Sequence, residues 1–222
     1  MGGTVRKQFR SIGGVPLVVH SLRVLQASPV IDAIILAVPE ADISSCRRDI
    51  VESYHFTKVV AVVAGGQERQ DSVRHALTAV DGQTEIVVVH DAVRPFLTED
   101  MLTRVVAEAE AQGAAIVALP VRDTVKLVGA EHVIERTVDR RPLWLAQTPQ
   151  AFRRDWLEEA HRKAQAEGAA ATDDAFLIER IGKSVTVVEG SGENIKITRP
   201  EDLIIGEAIF ASRQAAVGKE QI

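Results

Sequence analysis

Cysteine is almost absent from this 222-residue chain, with Cys46 the only one. A lone cysteine excludes an intramolecular disulfide and any CxxC-type metal site, as expected of a protein kept in a reducing cytoplasm. Nothing near Cys46 in the sequence would lower its pKa, so it reads as a helix residue and not a catalytic thiol. No apolar run approaches the roughly 20 residues that span a membrane. The first residues, Met-Gly-Gly-Thr-Val-Arg-Lys, have no apolar core, and the expectation is of no secretory signal. A basic excess is missing too. The net charge of −5 gives no sign of a nucleic-acid partner. His20, His55, His75, His132 and His161 show no metal-ligand spacing.

What the chain does have is a regular alternation of two periodicities. Helical spacing over residues 16–27, 40–54, 69–80 and 99–112 alternates with apolar, β-branched runs at 31–38, 59–63, 86–89 and 114–119. That order predicts an α/β fold, Rossmann-like, with a mostly parallel twisted sheet and helices on both faces. The pattern breaks between Val121 and Trp144. Residues 124–128 and 133–137 alternate apolar and polar and are joined by Gly129 to His132, which reads as an antiparallel hairpin. A projecting hairpin has open edges, and the same hairpin of a second subunit is the economical cover, so a homodimer is expected. Beyond it, residues 153–167, 173–180 and 201–212 have helical spacing, and residues 185–188 and 194–197 read as strands. At this length the chain is expected to be a single domain over 1–222, with an arm at about 121–144.

Candidate chemistry lies at the ends of these elements. The apolar run 86–89 ends abruptly in His90, Asp91, Ala92, Val93, Arg94 and Pro95, as a buried strand does at its functional edge. Asp91 suits a cation or hydroxyl and Arg94 suits phosphate oxygens; a capped strand end with a surface ion pair is the plainer reading. Gly65 and Gly66 lie between the strand at 59–63 and a helix through Asp71 and Ser72, where backbone can approach a ligand and free N–H groups suit anions. Lys196 stands in an otherwise apolar stretch, awkward to bury unless paired, with edge-strand solubility as the alternative. Lys7 precedes the first helix, and Arg140 follows Asp139 at the base of the hairpin, where a surface ion pair is the plain explanation. Thr172-Asp173-Asp174 looks like a helix cap with acids in the first turn. No Ser-His-Asp or Cys-His set and no pair of acid-base carboxylates can be assembled. Lys, Arg and Gly at loop positions along one sheet edge fit a phosphate-handling α/β enzyme, in which positioning and charge neutralisation dominate catalysis.

Several longer strings carry a resemblance. KQF at Lys7, AGGQERQDSV from Ala64, HDAVRPF from His90, PVRDTVK from Pro120, TVDRRPLWLAQTPQAF from Thr137, ATDDA from Ala171 and GENIKITRPEDL from Gly192 resemble the 2-C-methyl-D-erythritol 4-phosphate cytidylyltransferases, over about residues 7–210. The ribitol-5-phosphate cytidylyltransferase branch shares HDxVRPF and QTPQ and is the nearest competitor. The resemblance implies CTP and 2-C-methyl-D-erythritol 4-phosphate as substrates, magnesium on the triphosphate and a cytoplasmic homodimer with arm exchange. Lys7, Arg140 and Lys196 match catalytic positions; Gly66, Gln67, Ser72, Asp91 and Ala92 match nucleotide-binding ones. Asp91, Arg94, Thr124, Arg140, Thr172 and Lys196 match positions that bind the sugar phosphate, with Thr124 and Arg140 supplied by the partner's arm. Gln67 departs from the acid often found at its position. Family members begin with a strand and an Ala-Ala-Gly-x-Gly-x-Arg-Met loop, and Met1 aligns with that closing Met. The expectation is therefore of a chain short by roughly 20 residues, with two strands left unpaired beside the missing one. A truncated, non-catalytic nucleotide-binding dimer is the alternative of a different kind.

Overall fold

β-branched runs favour strands and amphipathic stretches favour helices, and the computed structural model follows that division through the residues it describes, 10–220, with side chains to 216. Lys7 lies outside the described residues. A small hairpin, β1 (Ser11–Ile12) and β2 (Val15–Pro16), leads into α1 (Leu17–Ala27). β3 (Ile34–Val38) and β4 (Val59–Ala64) follow, separated by a 3₁₀ turn at Glu40–Asp42, α2 (Ile43–Cys46) and a π-turn at Arg47–Glu52. Then come α3 (Arg69–Leu77), β5 (Ile86–Val89), α4 (Glu99–Gln112) and β6 (Ala114–Pro120). The arm is β7 (Val125–Val128) and β8 (Ile134–Val138), and the chain returns through β9 (Trp144–Arg153). α5 (Arg154–Glu167), α6 (Asp174–Arg180), β10 (Thr186–Glu189) and α7 (Pro200–Glu220) complete the order.

β5, β9, β6 and β10 form a four-stranded sheet in the order β10-β6-β9-β5. β6 shows how both faces are covered. Ala115 and Val117 point into a core formed with α1 and α4, through Val19, Leu22, Leu102 and Val105. Their neighbours Ala114, Ile116 and Ala118 point the other way, onto Leu157 and Ala160 of α5 and Leu177 and Ile178 of α6. That strict alternation is the period of two that a strand imposes.

The architecture is α/β with helices on both faces, but three features differ from the sequence reading. First, the sheet is mixed: β10 pairs parallel with β6, whereas β9 runs antiparallel to both β5 and β6. β9 escaped the sequence reading because its middle, Gln147-Thr148-Pro149-Gln150, is polar and interrupted by proline. The ladder to β6 is irregular there, between Ile116 and Ala118, which is where a proline without an N–H can sit. The Thr148–Pro149 peptide is cis. Second, β3 and β4 form a separate parallel pair. Among the described residues β3 is laddered to β4 alone and β5 to β9 alone, which departs from one continuous sheet but agrees with the expectation of two strands left unpaired on one side; side chains of both join one core cluster. Third, residues 194–197 form a loop and not a strand; the loop is pinned by an Ile197 N–H bond to the Val93 carbonyl at 2.8 Å. No described helix is long and apolar enough to cross a membrane.

Candidate active site

β5 and β6 both run antiparallel to β9 between them, so their carboxyl ends point the same way, and the parallel β10 joins them. Ligands of open α/β sheets sit at that edge. At the end of β5, His90 is held between two groups: the Arg94 carbonyl lies 3.1 Å from its Nε2, and the Thr148 hydroxyl 3.1 Å from its Nδ1. A neutral ring satisfies both, with Nε2–H donating and Nδ1 accepting. Burial pushes the imidazole down to about 4, so His90 is an uncharged strand-end hydrogen bonder. The same Thr148 hydroxyl accepts the Asp91 N–H at 3.0 Å and fixes where that carboxylate stands.

Asp91 is the meeting point of two cations. Its Oδ1 accepts from Arg69 Nε at 2.9 Å and its Oδ2 from Lys196 Nζ at 2.7 Å. Burial would raise the Asp91 carboxyl, but Arg69 and Lys196 outweigh it and hold it at about 2. Arg69 is the first residue of α3, and its Nη1 also donates to Asp174 Oδ2 at 2.6 Å. Asp174, the first residue of α6, takes His161 Nε2 on its other oxygen at 2.9 Å. Burial lowers the Arg94 pKa; this arginine donates from Nη1 to the Asn194 carbonyl at 2.7 Å. Asn194 is buried and donates to the Thr148 carbonyl at 2.9 Å and to Gln147 Oε1 at 3.2 Å. Arg94 and Asn194 thus fasten the loop that carries Lys196 to β9 and to the end of β5.

A second part of the edge lies at the end of β4. The chain turns through Gly65 and Gly66 into α3, whose start is closed by a reciprocal cap between Glu68 and Asp71. Gly66 is required there: a Cβ would stand 2.1 Å from that of Asp71. Its N–H donates to Ser72 Oγ at 3.0 Å. An open cleft of about 470 Å³ runs beside this turn, lined by Pro39, Gly66, Gln67, Arg74 and His75 among others. Its glycine turn lets a polar ligand approach the backbone closely.

The predicted residues thus fall into groups. Asp91, Arg94 and Lys196 are brought together; Gly66, Gln67 and Ser72 form the turn beside the cleft. Ala92 follows Asp91 and packs against the first core cluster. Thr172 is exposed just ahead of Asp173, which caps α6 by accepting the Phe176 N–H at 3.0 Å. Thr124 and Arg140 are exposed on the arm, and Arg140 donates to the Arg122 carbonyl within it. No hydrogen bond among the described residues joins these two to the Asp91 group. Sequence reasoning missed Arg69, Thr148, His161, Asp174 and Asn194 as members of the site. The one available signal was Arg69, a basic residue at a helix start, where the helix dipole disfavours it unless acids surround it.

A polar sheet edge where arginine and lysine converge on one carboxylate, beside a glycine turn, defines a phosphate-handling α/β enzyme. The comparisons narrow this. The family model described as 2-C-methyl-D-erythritol 4-phosphate cytidylyltransferase matches residues 1–212. The protein of that name from Syntrophus aciditrophicus (strain SB) is 50% identical over 211 residues, 95% of this chain and 90% of that one. That from Pelotomaculum thermopropionicum is 47% identical over 219 residues, 99% of this chain and 92% of the relative. The crystal structure of 4-diphosphocytidyl-2C-methyl-D-erythritol synthase from Anaerococcus prevotii superposes with a TM-score of 0.85 at 31% identity, covering 95% of this chain and 92% of the other. The chain belongs to the 2-C-methyl-D-erythritol 4-phosphate cytidylyltransferase family, a family of nucleotidyltransferases.

Proposed function

We propose that this chain transfers CMP from CTP to 2-C-methyl-D-erythritol 4-phosphate in non-mevalonate isoprenoid precursor biosynthesis. An oxygen of the sugar phosphate forms a bond to the α-phosphorus of CTP, the bond to the β-phosphate bridge breaks, and pyrophosphate leaves with the electron pair. The observation that carries the reading is Lys196 held 2.7 Å from Asp91 at the sheet edge, with its side chain 41% exposed. A lysine so placed has two free N–H donors for phosphate oxygens while the carboxylate fixes its direction. In this reading Gly66, Gln67, Ser72 and Ala92 take the base and ribose, and Asp91, Arg94, Thr172 and Lys196 take the sugar phosphate. Lys7 neutralises charge on the triphosphate.

The arm completes the reading. Leu127, Val128, Val133, Ile134 and Leu145 are exposed on or beside it, an apolar surface suited to the arm of a second subunit, which would bring Thr124 and Arg140 to the partner's site. The reading treats residues 1–222 as one nucleotidyltransferase domain acting as a cytoplasmic homodimer, in keeping with a single unpaired cysteine. A protein-held magnesium does not fit the described residues. No group of three or more His, Cys, Asp or Glu side chains among them is gathered to hold a metal, and both Asp91 oxygens are engaged by cations. Magnesium belongs to the proposal as part of the substrate, MgCTP, and no step is routed through it.

The test is pyrophosphate release from MgCTP with 2-C-methyl-D-erythritol 4-phosphate, with ribitol 5-phosphate, and with no acceptor. Release that depends on the methylerythritol phosphate is the expected result. Release with the ribitol phosphate alone, or with no acceptor, would overturn it.

A further inference from the structure

Behind Lys196 a continuous line of charge runs from the sheet edge into the core between α5 and α6. Each carboxylate along it uses its two oxygens for two different partners. Asp91 takes Lys196 and Arg69; Asp174 takes Arg69 and His161. Arg69 spans the two carboxylates with Nε and Nη1, so its rigid planar fork sets their separation. The inner end is thoroughly dry: Asp174 is 1% exposed and His161 2%. The outer end is not, with the Lys196 side chain 41% exposed.

Stability is a poor reason for such a line. Burying ions costs several kcal/mol each, and apolar residues of similar size often serve a core as well or better. A carboxylate at the start of α6 would also favour the helix from the surface, with no need of the interior. What the buried pair supplies is direction. Asp91 would otherwise turn freely between two cations and an incoming anion. Arg69, drawn from behind by Asp174, holds one Asp91 oxygen and leaves the other aimed at Lys196.

We propose that Asp174, oriented by His161, is a positioning residue that acts through Arg69 and Asp91 to aim the Lys196 ammonium at the phosphate undergoing transfer. The proposal rests on the transfer reaction above. Asp174 and His161 touch no substrate; they fix the geometry of a group that does, and misplacement on the order of 1 Å can cost about a hundredfold in rate.

The experiment compares the full chain with Asp174→Asn, Arg69→Lys, His161→Gln and His161→Phe in steady-state pyrophosphate release, at a temperature where each is folded by circular dichroism. Asp174→Asn keeps shape and removes charge. Arg69→Lys keeps charge and removes the fork, and it serves should the first variant not fold. We expect kcat to fall about tenfold to a hundredfold in both, with the KM for CTP unchanged within about threefold. His161→Gln, which can still donate to Asp174, should retain most of the rate, and His161→Phe should behave like Asp174→Asn. Combining Asp174→Asn with Asp91→Asn should lose no more than Asp91→Asn alone, since both act on one group. Losses that multiply, or kcat within threefold of wild type in Asp174→Asn or Arg69→Lys, would overturn the proposal. Wild-type protein that releases no pyrophosphate, both as this chain and when extended upstream through a strand and glycine loop, sinks the functional reading instead. The linkage is then decided by a crystal structure of Asp174→Asn: Arg69 turned away from Asp91 supports it, and an unchanged Arg69–Asp91–Lys196 arrangement refutes it.

Discussion

Lys196 owes its place to neighbours that its own surroundings in the chain do not name. Replacing it with Met keeps length and removes charge, so kcat should fall about a hundredfold to a thousandfold, the range for losing one preorganised electrostatic group. Pyrophosphate release checks this; a fall under tenfold would mean that the ammonium is not at the phosphate. Part of the site was legible at this scale. A lysine among Asn194, Ile195 and Ile197 is conspicuous because burying it unpaired is costly, and Asp91 and Arg94 stand where an apolar strand stops. Asp174 was not legible, because a local role was sufficient: an acid in the first turn of a helix explains itself. His161 was dismissed as a histidine without metal spacing, though its partner is a carboxylate from the next helix. Short-range reasons hide long-range ones when both are good.

The elements divide the same way. β5 and α4 have the bounds that periodicity gave them, since each has one apolar run or stripe and clear ends, with Thr98 capping α4 and Gly113 closing it in the left-handed region. The stretch read as one helix over 40–54 breaks into a 3₁₀ turn, a short α-helix and a π-turn. β9, the strand that joins the two halves of the larger sheet, was invisible because its polar residues are satisfied by loops from elsewhere, such as Gln150 Nε2 donating to Asp173 at 2.8 Å. The arm was legible as a hairpin because alternation and a glycine turn are local properties. Its surface yields a prediction. With Leu127 and Ile134 both exposed, changing both to Ser should leave the thermal midpoint of the single chain almost unmoved, yet shift the mass in light scattering from dimer to monomer. A wild-type monomer, or a double variant that stays dimeric, would remove the arm from the interface.

For the whole molecule, acid stability follows from two neighbours on one loop. His90 is depressed to about 4 by burial, so between about 4 and its ordinary 6.5 the unfolded chain binds the extra proton. Its contribution, about 3 kcal/mol, is complete above pH 6.5 and is lost as pH falls toward 4. Asp91, held at about 2 against burial by Arg69 and Lys196, contributes above its ordinary value of 3.8 and loses that as pH falls toward 2. Urea midpoints should therefore decline first between pH 6.5 and 4 and again below that. His90→Gln should flatten the first decline, and an unflattened decline would place the acid sensitivity elsewhere. The line from His161 to Lys196 has one more consequence, in time. Arg69 and Asp174 are 105 residues apart in the chain. At about 5–20 residues per second, a ribosome delivers the second roughly 5–20 s after the first. For that interval the nascent chain carries an arginine whose inner partner has not been made, and Lys196 comes later still. A message cut short before Asp174 yields a polypeptide that contains α1 and α4 but has no way to assemble its reaction centre.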